Sequence, residues 1–310
     1  MLRLGLCCIF REQTISFRQV TARHLETMDR QAQLARLSAL CAENLTSLLA
    51  ALKWIRSENI KAFRVLSPLF PRFTHPVVGY TIDDLPGADR IAAFSSQIRR
   101  YRSEHDIRLS LHPDQFNVLS SPRPEVVDKT IRELEYQGML AELIGAEVIN
   151  IHGGGAYGDK KSALERFASN YRLLSKRVRM LLTIENDDIT YTPADLLPLC
   201  RRLKIPFVYD VHHHRCLPDG MTIDEATRQC RDTWIERRQE PYFHISSPRD
   251  GWDSDNPRPH ADYIDPDDFP RVWLGMKATV DIEAKAKELA VRRLIDHLDA
   301  SGVADYREIQ

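Results

Sequence analysis

The sequence predicts a (β/α)8 barrel folded as one domain. Eight short apolar runs alternate with amphipathic stretches along its 310 residues, the pattern of a parallel sheet built from βα units. No Gly/Ser run or low-complexity segment marks a linker. Residues that bind divalent metals fall at the ends of the runs, where a barrel of this kind carries its chemistry.

The first run is "LRLGLCC" (2–8). It is followed by the helical stretch "ENLTSLLAALKWIRSEN" (43–59), in which Leu45, Leu48, Leu49, Leu52 and Ile55 share one face. The second and third runs are "KAFRVLS" (61–67) and "IRLSLHP" (107–113). A long helix then spans "PEVVDKTIRELEYQGMLAELIG" (124–145), with Gly145 as its stop. The remaining runs are "AEVINIHGG" (146–154), "RMLLTIEN" (179–186), "IPFVYDV" (205–211), "PYFHISS" (241–247) and "KATVDIEAK" (277–285). Their β-branched and aromatic content marks them as strands. The Pro- and Asp-rich piece at 247–270 is a long loop after the seventh strand, and loops of that length in compact domains tend to be functional. The barrel is expected over 1–290, with 291–310 as a C-terminal helical extension. An open doubly wound sheet is the second architecture the alternation allows.

Composition narrows the function. The net charge is −1 with 28% charged residues, which excludes a uniformly basic nucleic-acid surface but not a local basic groove. Six cysteines occur without a C-x-x-C pair, so a zinc ribbon or thioredoxin motif is not expected. They read as reduced thiols of a cytoplasmic protein. The apolar start is too short for a signal peptide, and no stretch approaches the ~20 apolar residues of a membrane span.

The ends of the runs carry His112, His152, Glu185, Asp210, His213, His244 and Glu283; His75 follows the second run and His260 lies in the long loop. Any one of these is commonly a solvated cap, but one after nearly every strand is a pattern. Six histidines with three carboxylates exceed the shell of one ion, so two or three ions are expected. Mixed imidazole and carboxylate suits Zn²⁺, Mn²⁺ or Fe²⁺ better than Ca²⁺. Clustered divalent ions suit phosphodiester hydrolysis, because they generate hydroxide and neutralise charge on the reacting phosphate.

The motifs "LRLGL", "THP", "LHPDQF", "SPRPEVV", "HGGGAYGDK", "IENDD", "YDVHHH", "FHISSP", "RPHADY" and "IEAKAKE" occur in that order over nearly the whole chain. In this the sequence resembles the ultraviolet damage endonucleases, relatives of endonuclease IV among the xylose-isomerase-like barrels. The resemblance implies a metal-dependent repair enzyme that nicks damaged double-stranded DNA 5′ to pyrimidine dimers and 6-4 products. It implies up to three ions, manganese foremost, with Zn²⁺, Mg²⁺ or Co²⁺ as the other candidates. It carries the ligand role to His75, His112, His152, Glu185, Asp210, His213, His244, His260 and Glu283. Among the three adjacent histidines it favours His213. A continuing strand would put Asp210 and His212 on one face, so the chain must turn near Val211, leaving His214 as a loop or phosphate-facing residue.

The same resemblance makes Gln115 and Phe116 a lesion-probing pair, an amide and an aromatic able to wedge into a base stack. Glu185, His244, Tyr242 and Lys285 are the candidate catalytic groups. Two positions depart from the family pattern: Tyr242 stands where members carry a carboxylated lysine, and Leu6 where they often have a tyrosine that admits flipped bases. Leu6, Lys160, Arg215 and Lys287 complete the candidate DNA contacts, and no partner subunit is expected. Two other functions compete. One is a single-metal sugar isomerase or epimerase, which leaves His75, His112, His152 and His260 without a role. The other is a damage-binding protein that does not cut.

Overall fold

The protein is described by a computed structural model covering residues 2–300. Eight parallel strands close into a barrel in chain order, with β1 paired to both β2 and β8. They are β1 (Leu2–Cys7), β2 (Ala62–Val65), β3 (Arg108–Leu111), β4 (Val148–His152), β5 (Leu182–Glu185), β6 (Phe207–Asp210), β7 (Tyr242–Ile245) and β8 (Ala278–Ile282). Each falls inside one of the eight apolar runs. The helices are α1 (Ala22–Leu25), α2 (Arg30–Ser57), α3 (Ala88–Glu104), α4 (Pro124–Ile144), α5 (Lys160–Tyr171), α6 (Lys176–Leu181), α7 (Pro193–Leu203), α8 (Val211–Cys216), α9 (Ile223–Asp232) and α10 (Glu288–Ala300).

Local chemistry accounts for the helix ends. The helix expected from residue 43 starts at Arg30, because the Asp29 side chain accepts the Ala32 amide and the apolar stripe begins with Leu37, Leu40 and Cys41. Pro124 opens α4, and Gly145 ends it at φ 77°. Helix α10 runs unbroken across positions 290 and 291, and Val291, Leu294, Ile295 and Leu298 are buried in the core shared with the strands. It is the last wall helix of the barrel; the rest of the expected extension, 301–310, lies outside the described residues. Among the described residues all six cysteines are unpaired, and no helix is long and apolar enough to cross a membrane.

Between β7 and β8 there is no α-helix, only the 3-10 turns Pro266–Asp268 and Arg271–Trp273. Asp268 fastens this segment, accepting from Trp252 Nε1 (2.7 Å), from Ser247 Oγ and from Arg215 Nη1 (3.2 Å). Trp273 stacks on Phe243 of β7 at 4.9 Å.

The strands alternate strictly. Leu4, Leu6, Phe63, Leu109, Ile149, Ile151, Ile184, Phe207, Phe243 and Val280 join the large core between sheet and helices. The interior of the barrel is different. A Cβ on Gly5 would meet Asp281 Oδ1 at 2.1 Å and the Ala62 Cβ at 3.2 Å, which fixes Gly5, Ala62 and Asp281 as inward. Alternation then places Arg64, Ser110, Asn150, Thr183, Glu185, Asp210, Tyr242, His244 and Thr279 inside as well. Barrels of this class usually fill that space with branched aliphatics. Here the apolar part is Ala62 with a small plug of Val148, Val208, Trp234 and Tyr242, and polar side chains occupy most of the rest.

Candidate metal centre

The polar interior opens at the C-terminal ends of the strands into a pocket of ≈ 480 Å³, lined by Arg64, His112, His152, Glu185, His213 and Glu283, with loop residues above. Glu185, the last residue of β5, lies at its centre with no solvent exposure. Its Oε1 is 2.9 Å from His244 Nδ1 and 3.5 Å from His213 Nδ1. Its Oε2 is 3.1 Å from His112 Nε2 and accepts from Asn150 Nδ2. Burial alone would raise this carboxyl; His244, His152 and His112 outweigh it and hold Glu185 well below the usual carboxylate range. Burial acts likewise on Glu283, and Arg64, His244 and His260 together outweigh it and hold that carboxyl below its ordinary range.

Two sets of ligand atoms lie within 4.8 Å of one another: His112, His152 and Glu185, and Glu185, Asp210, His244 and Glu283. Glu185 belongs to both, one oxygen toward each. His152 Nδ1 and Asp210 Oδ2 are buried without a hydrogen-bond partner, and orphaned buried atoms of this kind are costly unless something binds them. Four buried or nearly buried acids, Glu185, Asp210, Asp281 and Glu283, face one another across the interior, with Arg64 as their fixed cation. The surplus of negative charge, the imidazoles and the unpartnered atoms fit divalent cations.

The triple histidine resolves residue by residue. Strand β6 ends at Asp210, whose Oδ1 accepts the His213 amide at 2.8 Å and caps α8. The chain therefore turns at Val211, as expected, and the turn is the start of a helix. His213 faces the cluster, 3.6 Å from Asp210 Oδ2. Burial opposes its protonation, but Asp210, Glu185 and Glu283 push it up to about 9. His212 points away and donates from Nε2 to the Arg258 carbonyl at 3.1 Å. His214 is not phosphate-facing: it is buried between the Tyr209 hydroxyl (2.8 Å) and Asp219 (2.9 Å).

The other expected residues divide. His260 joins the cluster's edge, its Nδ1 3.8 Å from Glu283 Oε2. His75 turns Nδ1 into its own loop, where it accepts from the Val77 and Val78 amides, and it is not among the residues that line the pocket. Gln115 and Phe116 line the pocket mouth, and Phe116 is 72% exposed rather than packed under its loop. Lys285 is exposed, with Asp250 nearby. Lys287 lies on the short link to α10 with a positive φ of 54°.

Lys160, still half exposed, pairs with Asp195 at 2.7 Å. Three expectations are corrected. Leu6 is fully buried and faces the helix layer, because alternation from the inward Gly5 turns it out. Arg215 is committed to Asp268 and lies over the Trp252 ring, ordering the long loop. Tyr242 sits one layer below the cluster: its hydroxyl donates to Asp281 Oδ1 at 2.9 Å and is 3.1 Å from Ser110 Oγ. Its influence on the site runs through Asp281 to Arg64.

Arg64 was not foreseen. It lies on β2 with Nε 3.0 Å from Asp281 Oδ2, and its Nη2 is 2.7 Å from Glu283 Oε1 and 2.9 Å from His244 Nε2. It ties two of the candidate ligands to the layer beneath them. The arginine within the strand "AFRV" was its only signal.

Known proteins match this architecture. A family model described as UV-endonuclease UvdE matches residues 2–310. A UV DNA damage endonuclease of Bacillus cereus (strain G9842) is 33% identical over 292 residues, covering 91% of this chain and 89% of that protein. One from Bacillus anthracis is 32% identical over 293 residues, with the same coverage of 91% and 89%. The crystal structure of SacUVDE superposes with a TM-score of 0.85 at 27% identity, covering 97% of this chain and 99% of that one. Endonuclease IV from Thermus thermophilus shares the fold at TM-score 0.60 and 15% identity, covering 96% and 98% of the two chains.

Proposed function

The chain belongs to the UV-endonuclease UvdE family, a metal-dependent DNA endonuclease of ultraviolet-damage repair, and from that premise we propose that it nicks duplex DNA immediately 5′ to pyrimidine dimers and 6-4 products. Two or three divalent ions, manganese foremost, are held by His112, His152, Glu185, Asp210, His213, His244, His260 and Glu283, with His75 supplying Nε2 from its loop. When bound, the ions supply hydroxide near neutral pH and neutralise the charge of the reacting phosphate. The observation that carries the reading is Glu185, whose two oxygens face two separate sets of ligand atoms.

The chain's own residues do the remaining work. Arg64 anchors Glu283 and His244, so the ligand atoms are set before ions arrive. Gln115 and Phe116 probe the base stack, where a damaged step opens at lower cost. Lys285 and Lys287, directly after Glu283, take phosphate contacts. The protein acts as a monomer in the cytoplasm, on chromosomal DNA.

The test is a labelled duplex carrying one thymine dimer, incubated with Mn²⁺. A single cut immediately 5′ of the dimer is expected, abolished by chelator and by Glu185→Ala. No cut with Mn²⁺, Mg²⁺, Co²⁺ or Zn²⁺ overturns the assignment; a cut only at abasic sites overturns the lesion.

A further inference from the structure

We propose that Ile189, on the loop joining β5 to α7, is a second apolar probe that enters the base stack at the damaged step opposite Phe116. The inference rests on the damaged-duplex reading above and adds a specificity-determining residue to it.

Phe116 and Ile189 are 72% and 66% exposed, and both line the pocket that contains His112, His152 and Glu185. They come from different loops, after β3 and after β5, with the loop after β4 between them. Both loops present the apolar residue by the same device. Asp114 Oδ1 accepts the Phe116 amide at 2.9 Å, and Asp187 Oδ1 accepts the Ile189 amide at 2.9 Å. In "DQF" and in "DDI" the apolar residue stands two positions after the aspartate. Asp187 also accepts the Thr190 amide and, at 3.2 Å, the Tyr191 amide. The loop is thus fixed by its own carboxylate while the Ile189 side chain stays in water.

The pocket they share is also lined by Gly154 and Gly155 from the intervening loop and by Gln115, Val118 and Thr190; Gly154, at φ 84°, packs so closely on Val118 and Ser120 that a Cβ would not fit there. One pocket thus combines an exposed apolar residue from each of two loops with His112, His152 and Glu185. Asp187 and Asp188 line the Ile189 side, Asp188 with Arg258 Nε 3.7 Å away. The Asp187 carboxylate disfavours phosphate at that wall, so the part of a nucleic acid that suits it is the uncharged face of a base. Isoleucine and phenylalanine are among the side chains that wedge between base steps.

The test uses full-length protein and a duplex with one thymine dimer and 2-aminopurine beside it. Nicking in Mn²⁺ gives kcat/KM; 2-aminopurine fluorescence in chelator reports unstacking without cleavage. Phe116→Ala is expected to lower kcat/KM on the dimer duplex about 10-fold, in the range for loss of one aromatic stacking contact; Ile189→Ala is expected to lower it about 10-fold through lost aliphatic burial, and both are expected to lose the fluorescence rise. Ile235→Ala, also exposed but on the 3-10 turn Ile235–Arg237 that leads into β7 at the other end of the barrel, is expected to match wild type. If wild type nicks while Ile189→Ala keeps kcat/KM within about twofold and keeps the fluorescence rise, this inference is overturned and the reading beneath it stands. If wild type fails to nick, both fall.

Discussion

At the scale of single residues, protonation and alternation decide the site. His213 shows the first. Its acidic neighbours raise it from an ordinary 6.5 to about 9 against the opposing effect of burial, so the folded chain binds that proton more tightly than the unfolded one. The stabilisation is full below about pH 6.5 and is lost as pH rises through about 9. Metal-free protein in chelator should therefore lose urea resistance between those values, and His213→Gln should flatten the slope. A wild-type midpoint that stays level across the window contradicts this. Which histidine faces inward was legible from motif order; why it does so was not, because the turn belongs to Asp210 acting as a helix cap. Leu6 was misplaced for a different reason. Its neighbour Gly5 gives the parity of the strand only once Asp281 is known to lie across from it.

At the scale of elements, all eight strands were legible because short apolar runs rich in β-branched and aromatic residues alternate with amphipathic stretches. A second alternation, inside the runs, was not read. Attention to run ends found the layer of imidazoles and carboxylates around Glu185. The layer beneath it, with Arg64, Ser110, Asn150, Tyr242 and Asp281, was also written in the sequence as polar residues at every second strand position. This layer binds β2, β3, β7 and β8 together through Arg64–Asp281 and Tyr242–Asp281. Arg64→Met strands Asp281 and Glu283 without their cation inside the barrel. Breaking a buried pair this way costs about 3–5 kcal/mol, to be measured as a shift in urea midpoint with an unchanged slope. A loss under ~1 kcal/mol would mean that solvent or another group already neutralises the pair. The start of α2 and the commitments of Lys160 and Arg215 were not legible, since they depend on partners distant in sequence or on caps outside the apolar pattern.

At the scale of the whole molecule, the barrel's function follows from where it places charge. The interior is polar from the plug of Trp234 and Tyr242 up to the pocket, and the acids outnumber the fixed cation. A net charge of only −1 and a concentrated acidic centre are compatible, because the excess is confined to one end of the strands. Bound cations would hold such a centre together, and one shared carboxylate links its two candidate ligand sets. The most direct measurement is the metal content of the purified protein, equilibrated with Mn²⁺, freed of unbound ion and analysed by elemental mass spectrometry beside Glu185→Ala. Two or more manganese ions per chain, falling below one in the variant, is the predicted result; a single ion per chain in wild type, unchanged by Glu185→Ala, would contradict it.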